Sequence, residues 1–178
     1  LDHLESRAQL DNTIFVFASD HGTQGGSQGV NPWSKKNPYE GSIHIPAIIS
    51  YPPKIAANTR SDTLLGMVDI FPTICELAEI PIPATVEGDS ISSSLATKAN
   101  GLSSKTFHPT TEPQAERKSL FLMNFSKYFD WFQDGAEWRG VRTKTHMYCQ
   151  RLDGREELYD LASDPLQMNN LVGSEDAG

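Results

Sequence analysis

The stretch TIFVFASDHG, residues 13–22, joins a continuous run of β-branched and aromatic residues to an abrupt polar ending. A run without polar alternation predicts a strand that is buried on both faces, as in the centre of a parallel sheet. We therefore expect an open α/β sheet, in which ligands bind at the carboxyl ends of the strands. Asp20 and His21 follow this strand at that end.

Two explanations fit the Asp20-His21 pair. An ionised Asp20 at the end of an apolar strand needs a compensating charge, which a metal ion or a helix N-terminus supplies. Alternatively, Asp20 caps a loop and His21 forms only local hydrogen bonds. The Gly-rich loop that follows, residues 22–38, favours a ligand site, because loops of this length inside a compact domain are usually functional.

The composition is that of a globular protein, with 178 residues, 38% of them hydrophobic and 21% charged, and a net charge of −8. This negative charge argues against non-specific binding to nucleic acid or to an anionic membrane surface. No apolar run approaches the roughly 20 residues of a membrane-spanning helix. The chain does not begin with Met, so we expect a piece of a longer protein, and the lack of a signal peptide says nothing about its compartment.

The two cysteines, Cys75 and Cys149, are too few for a disulfide framework, and their spacing fits no metal-binding motif. Cys75 lies in an apolar run with helical spacing and is most simply a small buried hydrophobic residue. A disulfide between the two cysteines is the less favoured alternative.

Two differently built parts are predicted along the chain. Residues 45–51 predict a second short strand, and apolar residues recur at helical spacing through 62–79, where Pro72 predicts a helix start by lying in the first turn. A polar stretch then predicts a linker, and short strands separated by turn residues predict an antiparallel meander beyond it. The candidate strands are 119–125, 138–143, 145–151 and 157–160. The predicted organisation is an α/β part over residues 1–97, a linker over 98–118 and a small antiparallel subdomain over 119–178.

The sequence KKNPYEGS, residues 35–42, begins with a lysine pair. A lysine pair taken alone is more often a solvated surface. However, Pro38 and Gly41 make this segment a shaped turn, and the Lys35 ammonium group is a suitable partner for an anionic oxygen. His44 lies just before the second strand, where a structural role is the more common case.

Read together, DNTIFVFASDHG, KKNPYEGSIHIPAIISYP and LLGMVDIFPTICELAEIPIP with VEGDSISSSL resemble the C-terminal half of a formylglycine-type sulfatase. The ending WRGVRTKTHMYCQRLDGREELYDLASDPLQMNNLVG is similar to the small C-terminal subdomain of that family. The resemblance implies a partial alkaline phosphatase-like, mostly parallel sheet with helices, followed by a small antiparallel α+β subdomain. It also implies a sulfuric ester hydrolase of the arylsulfatase type, with a sulfate ester as substrate.

At matching positions, the resemblance implies that Asp20 and His21 are metal ligands and that Lys35 binds the sulfate group. The family usually holds Ca²⁺, but an imidazole beside a carboxylate suits Zn²⁺ or Mn²⁺ better, so these metals remain alternatives. Relatives commonly have Arg where this chain has His44, and we assign His44 no catalytic role.

The family's nucleophile is a formylglycine made from Cys or Ser in a C-x-P/A-x-R stretch. Neither Cys75 nor Cys149 is followed by such a stretch, so no catalytic nucleophile is predicted in this chain. The resemblance implies that the nucleophile and the other metal ligands belong to the N-terminal half of the family. Two ligands bind Ca²⁺ poorly, because the ion prefers about 6–8 oxygens. We therefore expect the chain to be inactive alone.

Two other functions remain open from the sequence. One is a phosphonate or phosphodiester hydrolase of the same superfamily, which uses a similar Asp-His pair. The other is a non-catalytic, sulfatase-like binding module. We expect neither a nucleic-acid partner nor a membrane span. We do expect self-association or packing against the missing half, because part of a sheet exposes a strand edge or an apolar face. The resemblance favours a periplasmic or secreted protein and leaves sugar, aryl and choline sulfates open as substrates.

Overall fold

The computed structural model describes residues 1–95, 117–125 and 137–174. Contacts within the chain define two compact units: the first unit is Leu1–Ala18 with Ala47–Arg117, and the second unit is Ser19–Pro46 with Lys118–Gly178. The predicted linker, 98–118, lies outside the described residues except for its last two positions. The predicted domain boundaries stay a prediction. The loop that carries Asp20, His21 and Lys35 belongs to the same unit as the C-terminal strands.

The helices and strands in the described part of the chain are all short. Its α-helices are α1 (Asp2–Ser6), α2 (Glu40–Ile43), α3 (Ile70–Leu77) and α4 (Ser92–Leu95). Its strands are β1 (Phe15–Ala18), β2 (Ala47–Ser50), β3 (Ser119–Asn124), β4 (Trp138–Thr143), β5 (His146–Arg151) and β6 (Glu156–Asp160). Single 3₁₀ turns cover Leu10–Asn12, Ser27–Gly29 and Met67–Asp69.

In the first unit, β1 pairs with β2, and the two strands are antiparallel. Ala18 lies opposite Ala47, so the chain leaves β1 and enters β2 at the same end of the pair. The parallel neighbour expected for residues 13–18 is therefore not β2. Burial on both faces is also wrong for β1 in the described part of the chain, because Phe17 is 52% exposed.

Helix α3 confirms the predicted helix start, because Pro72 lies in its first turn, where a missing N–H breaks no helical hydrogen bond. One face of α3 is buried through Pro72, Thr73, Cys75 and Leu77. The helix ends at Leu77, and the Lys54 ammonium group donates a 2.7 Å hydrogen bond to its carbonyl oxygen. Glu79 then takes the left-handed conformation common after helix ends, with φ of 60°.

A fully buried carboxylate, that of Asp69, fixes the entry to α3. It accepts hydrogen bonds from the backbone N–H of Gly66 at 2.7 Å and of Asp89 at 2.9 Å. The Arg117 guanidinium group donates a third bond at 2.5 Å and pairs with the more exposed Asp89 carboxylate as well. The buried charge of Asp69 is therefore both paired and hydrogen-bonded, as a buried carboxylate must be.

The second unit contains a four-stranded antiparallel sheet in the order β3-β4-β5-β6, so the predicted meander is confirmed. Its strands alternate between buried and exposed residues, as expected for a sheet with one face on a core. That core centres on Trp138, Met147 and Cys149. Partly buried side chains of Ile43, Leu122 and Leu161 pack against it.

Cys75 and Cys149 are both free and both buried, so the less favoured disulfide does not form. Cys75 therefore has the buried position predicted for it. Among the residues that the structure describes, no helix is long and apolar enough to cross a membrane.

Candidate metal and anion site

Asp20 and His21 form a compact turn directly after β1. One Asp20 carboxylate oxygen accepts a 2.9 Å hydrogen bond from the His21 backbone N–H, and the other lies 3.3 Å from His21 Nε2. The Ser19 hydroxyl donates a 2.7 Å hydrogen bond to the His21 carbonyl oxygen. The Asp20 side chain is 80% exposed and the His21 side chain 37% exposed, so both groups remain accessible to a ligand.

The orientation of His21 is set by its second ring nitrogen. Nδ1 lies 2.9 Å from the carbonyl oxygen of Gly22. Because a carbonyl oxygen only accepts, Nδ1 carries the proton in this contact, and in the neutral ring Nε2 keeps its lone pair. A backbone carbonyl is one of the usual partners that fix the tautomer of a metal-binding histidine.

This pair fits two positions of a metal coordination shell. Ligand atoms at about 2.0–2.4 Å from one ion lie about 3 Å apart when they are neighbours in the shell. The 3.3 Å between His21 Nε2 and an Asp20 carboxylate oxygen agrees with that spacing. Across residues 1–95, 117–125 and 137–174, no group of three or more His, Cys, Asp or Glu residues could hold a metal ion. Among the described residues, Asp20 and His21 are therefore a candidate pair of ligands and not a complete metal site.

The loop after His21 is held against the segment that carries Lys35, which we call the lysine segment (residues 34–43). Gly22 N–H donates a 2.8 Å hydrogen bond to the Ser42 carbonyl oxygen, and Gln24 N–H donates a 2.9 Å bond to the Ser34 carbonyl oxygen. The buried Gln24 side-chain amide also donates to the Ser42 hydroxyl at 2.6 Å. The two predicted parts of the site are thus joined through backbone contacts at both ends of the lysine segment.

Close approach explains why residue 22 is a glycine. A Cβ atom at Gly22 would lie 2.0 Å from the carbonyl oxygen of Gly41, well inside van der Waals contact. The turn after His21 and the start of helix α2 can therefore come together only without a side chain at position 22.

Lys35 lies on the exposed side of the lysine segment, next to the fully buried Ser34. The Ser34 backbone N–H donates to the Asn31 carbonyl oxygen at 2.8 Å, and its hydroxyl accepts a hydrogen bond from the Asn37 side chain. The Lys35 ammonium group is thus presented to solvent from a fixed backbone. The structure brings Asp20 and His21 into direct contact, and it places Lys35 in the same unit.

His44 takes part in an ion-pair cluster at the end of helix α2. Its Nδ1 lies 3.0 Å from the Glu40 carboxylate, one turn earlier. The same carboxylate accepts two hydrogen bonds from the Arg142 guanidinium group, from Nε at 3.1 Å and from Nη2 at 2.9 Å. These contacts agree with the structural role that we preferred for His44.

A buried polar network lies under the lysine segment. The Arg151 guanidinium group donates to the Glu157 carboxylate at 2.5 Å and to the Tyr39 hydroxyl at 3.3 Å. The Tyr159 hydroxyl donates to the other Glu157 oxygen at 3.2 Å, and the Tyr39 and Tyr159 rings meet edge to face with centroids 6.2 Å apart. Burial, together with the Glu157 charge, raises the pKa of Tyr39 and of Tyr159, so both phenols stay neutral at ordinary pH.

Several residues that build the site were not predicted. Gln24, Gln167, Arg151 and Glu157 are buried polar side chains, a class that sequence patterns normally assign to the surface. In the sequence, only the long Gly-rich loop indicated an ordered loop structure here, and it did not show which polar side chains are buried.

Several solved structures of sulfatases have this fold. One, solved in complex with its substrate D-glucosamine-2-N,6-O-disulfate, has a TM-score of 0.79 and 28% identity, covering 98% of this chain and 33% of that chain. The predicted fold class is therefore confirmed: an α/β, alkaline phosphatase-like part followed by a small antiparallel C-terminal subdomain.

Curated relatives agree with this class. An ulvan-active sulfatase of Formosa agariphila is 29% identical over 97% of this chain and 31% of its own length. An N-acetylglucosamine-6-O-sulfatase of Bacteroides thetaiotaomicron is 30% identical over 97% of this chain and 29% of its own length. The chain thus spans about a third of the length of these relatives.

The family described as N-sulphoglucosamine sulphohydrolase, C-terminal, matches residues 29–177. The chain belongs to this sulfatase family. The match covers the lysine segment and all four strands of the C-terminal sheet, and it begins after Asp20 and His21.

Proposed function

We propose that this chain is the C-terminal part of a sulfuric ester hydrolase, in which Asp20 and His21 hold a divalent metal and Lys35 binds the sulfate group. The observation that carries the proposal is the pairing of His21 Nε2 with an Asp20 carboxylate oxygen at 3.3 Å, directly after a strand, in a member of a sulfatase family. The rest of the complete protein would supply the other ligands.

The residues of this chain have distinct tasks in the proposal. Asp20 contributes a negative oxygen ligand, and the Gly22 carbonyl keeps His21 Nε2 available as a nitrogen ligand. Lys35 contributes a compact positive charge with three N–H donors for an anionic oxygen of the ester. A bound divalent cation would neutralise negative charge on the sulfate group.

For the metal, we propose Ca²⁺ first, with Zn²⁺ and Mn²⁺ as alternatives. The carboxylate suits Ca²⁺, whereas the imidazole suits the transition metals better. Calorimetric titration of the complete protein with each ion, repeated on Asp20→Asn, distinguishes these ions. If Asp20→Asn weakens the binding of one ion, that ion is the metal and Asp20 is one of its ligands. If the variant binds all three ions as tightly as the unchanged protein does, Asp20 is not a metal ligand.

For the nucleophile, we propose a formylglycine elsewhere in the complete protein. Cys149 is unsuitable because it is buried and burial raises the pKa of its thiol to about 12, which suppresses the nucleophilic thiolate. The isolated chain should therefore show no turnover of an aryl sulfate. Turnover by the isolated chain would contradict this arrangement.

The decisive experiment compares esters and variants in the complete protein. We expect turnover of sulfate esters to exceed that of matched phosphate and phosphonate esters, and Lys35→Ala to lower kcat/KM by about 100-fold or more. Lys118→Ala, at an exposed lysine before β3, is the matched control and should leave kcat/KM unchanged. A preference for phosphonate or phosphate diesters would favour the alternative hydrolase. If Lys35→Ala leaves kcat/KM unchanged, Lys35 does not bind the sulfate group.

A further inference from the structure

Residues of the C-terminal sheet contact the lysine segment at several positions that follow Lys35. Lys36, Tyr39 and Glu40 each contact a side chain of that sheet, while Lys35 itself is exposed. The backbone that carries Lys35 is thus fixed by residues distant in sequence, and its ammonium group stays accessible.

Along the sequence, the contact that follows Lys35 most closely is that of Trp138 on β4. Its indole Nε1 donates a 2.6 Å hydrogen bond to the carbonyl oxygen of Lys36, the residue that follows Lys35. Trp138 is only 4% exposed and belongs to the core with Met147 and Cys149. Because this ring is packed into the core, the direction of its N–H is fixed, and so is the carbonyl group that it holds.

A second contact holds the far end of the segment. The Arg142 guanidinium group binds the Glu40 carboxylate through two hydrogen bonds, a geometry that fixes both distance and orientation. The Glu40 backbone N–H donates a 2.7 Å hydrogen bond to the side-chain oxygen of the buried Gln167. The lysine segment is therefore tied to strand β4 at two points, through Trp138 at Lys36 and through Arg142 at Glu40, and Gln167 adds a contact from outside the sheet.

We propose that Trp138 and Arg142 are positioning residues for Lys35. They hold the lysine segment in the conformation from which the Lys35 ammonium group binds the anionic group of the substrate. This inference rests on the proposed function of Lys35. It assigns the C-terminal subdomain a part in catalysis in addition to its part in folding, because small displacements of a binding group reduce its contribution steeply.

A double-mutant cycle in the complete protein tests this inference. Trp138→Phe keeps an aromatic ring but removes the N–H donor, and Arg142→Gln removes the paired guanidinium group. With Lys35 present, we expect either change to lower kcat/KM for a sulfate ester by about 10- to 100-fold. In the Lys35→Ala background, the same changes should lower kcat/KM by less than about twofold, because residues that act through one group are not additive.

Arg155→Ala is the matched control, because the described side-chain hydrogen bond and ion pair of Arg155 are with Asp153 in the turn between β5 and β6, and its backbone contact survives the change. It should leave kcat/KM unchanged in both backgrounds. A purely structural role of Trp138 and Arg142 predicts the same loss with and without Lys35, and that additive result would overturn the inference.

The two proposals fail in different ways. If Lys35→Ala alone leaves turnover unchanged, the proposed function of Lys35 fails. If Lys35→Ala lowers turnover but the cycle is additive, only the positioning role fails. The Arg142 side chain is more exposed than Trp138 and does not belong to the core, so Arg142→Gln alone tests the inference if Trp138→Phe does not fold.

Discussion

Phe17 and Ile48 lie directly opposite each other on the antiparallel strands β1 and β2, and both are more than half exposed. Cross-strand apolar pairs normally stabilise a sheet by removing their area from water. Here the pair remains on the surface of the first unit. In the described part of the chain β1 and β2 pair only with each other, so each also has an open outer edge. An apolar face beside open edges favours association with another chain or segment.

The first prediction is that the 178-residue chain self-associates through this face. Its weight-average mass in sedimentation should rise above 19.7 kDa with increasing concentration. Phe17→Thr with Ile48→Thr should restore a mass nearer the monomer, because Thr keeps the strand preference but removes apolar area. Leu166→Thr, at an exposed apolar residue outside the strands, is the control. A monomer at all concentrations would contradict the prediction.

This pair also shows what the sequence could and could not reveal. Turn residues on either side of residues 145–151 predicted β5 almost to the residue, because such residues mark the ends of a strand locally in the sequence. The continuous apolar run at residues 13–18 predicted a strand as well, but it misled us about the exposure of that strand and about its partner. The partner of a strand depends on the path of the chain between the strands. That Ala18 lies opposite Ala47 is visible only in the structure.

The candidate site was also predicted only in part. Asp20, His21 and Lys35 could be selected because each stands at a marked position, a strand end or a shaped turn. The contacts that hold them could not be selected: Arg142 and Glu40 are far apart in sequence, and neither differs from an ordinary surface charge until the fold pairs them.

The second prediction concerns the buried Asp69 carboxylate. Asp69→Asn should lower the free energy of unfolding by about 3 kcal/mol, because it breaks a buried ion pair with Arg117 and leaves that charge with one partner. Asp89→Asn removes the exposed partner of the same arginine and should cost no more than about 1 kcal/mol. Urea unfolding of both variants measures the difference. Equal costs would show that burial of Asp69 does not matter.

The third prediction concerns the turn that follows His21. Gly22→Ala should displace the turn, because its Cβ would lie 2.0 Å from the Gly41 carbonyl oxygen, and about 1–3 kcal/mol of stability should be lost. Metal affinity of the complete protein should fall with it, since the Gly22 carbonyl orients His21.

Gly29→Ala is the control for this change. Gly29 has a left-handed φ of 66° with open space around it, so the variant should cost about 1 kcal/mol and leave metal affinity unchanged. Urea unfolding and calorimetric metal titration compare the two variants. A Gly22→Ala protein that behaves like Gly29→Ala in both measurements would show that the close approach to Gly41 is relaxed at no cost.

The fourth prediction is a loss of stability at alkaline pH that depends on Cys149. Burial, followed by the nearby Glu157 charge, raises the pKa of the Cys149 thiol to about 12 in the folded chain. The same thiol has a pKa of about 8.5 in an unfolded chain. Between these values the folded state keeps a proton that the unfolded state releases, so the free energy of unfolding falls as pH rises. Below about pH 8.5 the contribution is fully present.

Urea unfolding between about pH 7.5 and about pH 9.5 measures this contribution of Cys149 to the free energy of unfolding, below the pH at which tyrosines titrate. Cys149 should contribute a slope approaching, but not exceeding, about 1.4 kcal/mol per pH unit at the upper end of this range. Cys149→Ala should be less stable at neutral pH, because it leaves a cavity in the core, yet its stability should depend less on pH. A variant with an undiminished slope would show that another group releases the proton, and that the Cys149 thiol is not held neutral by its buried position.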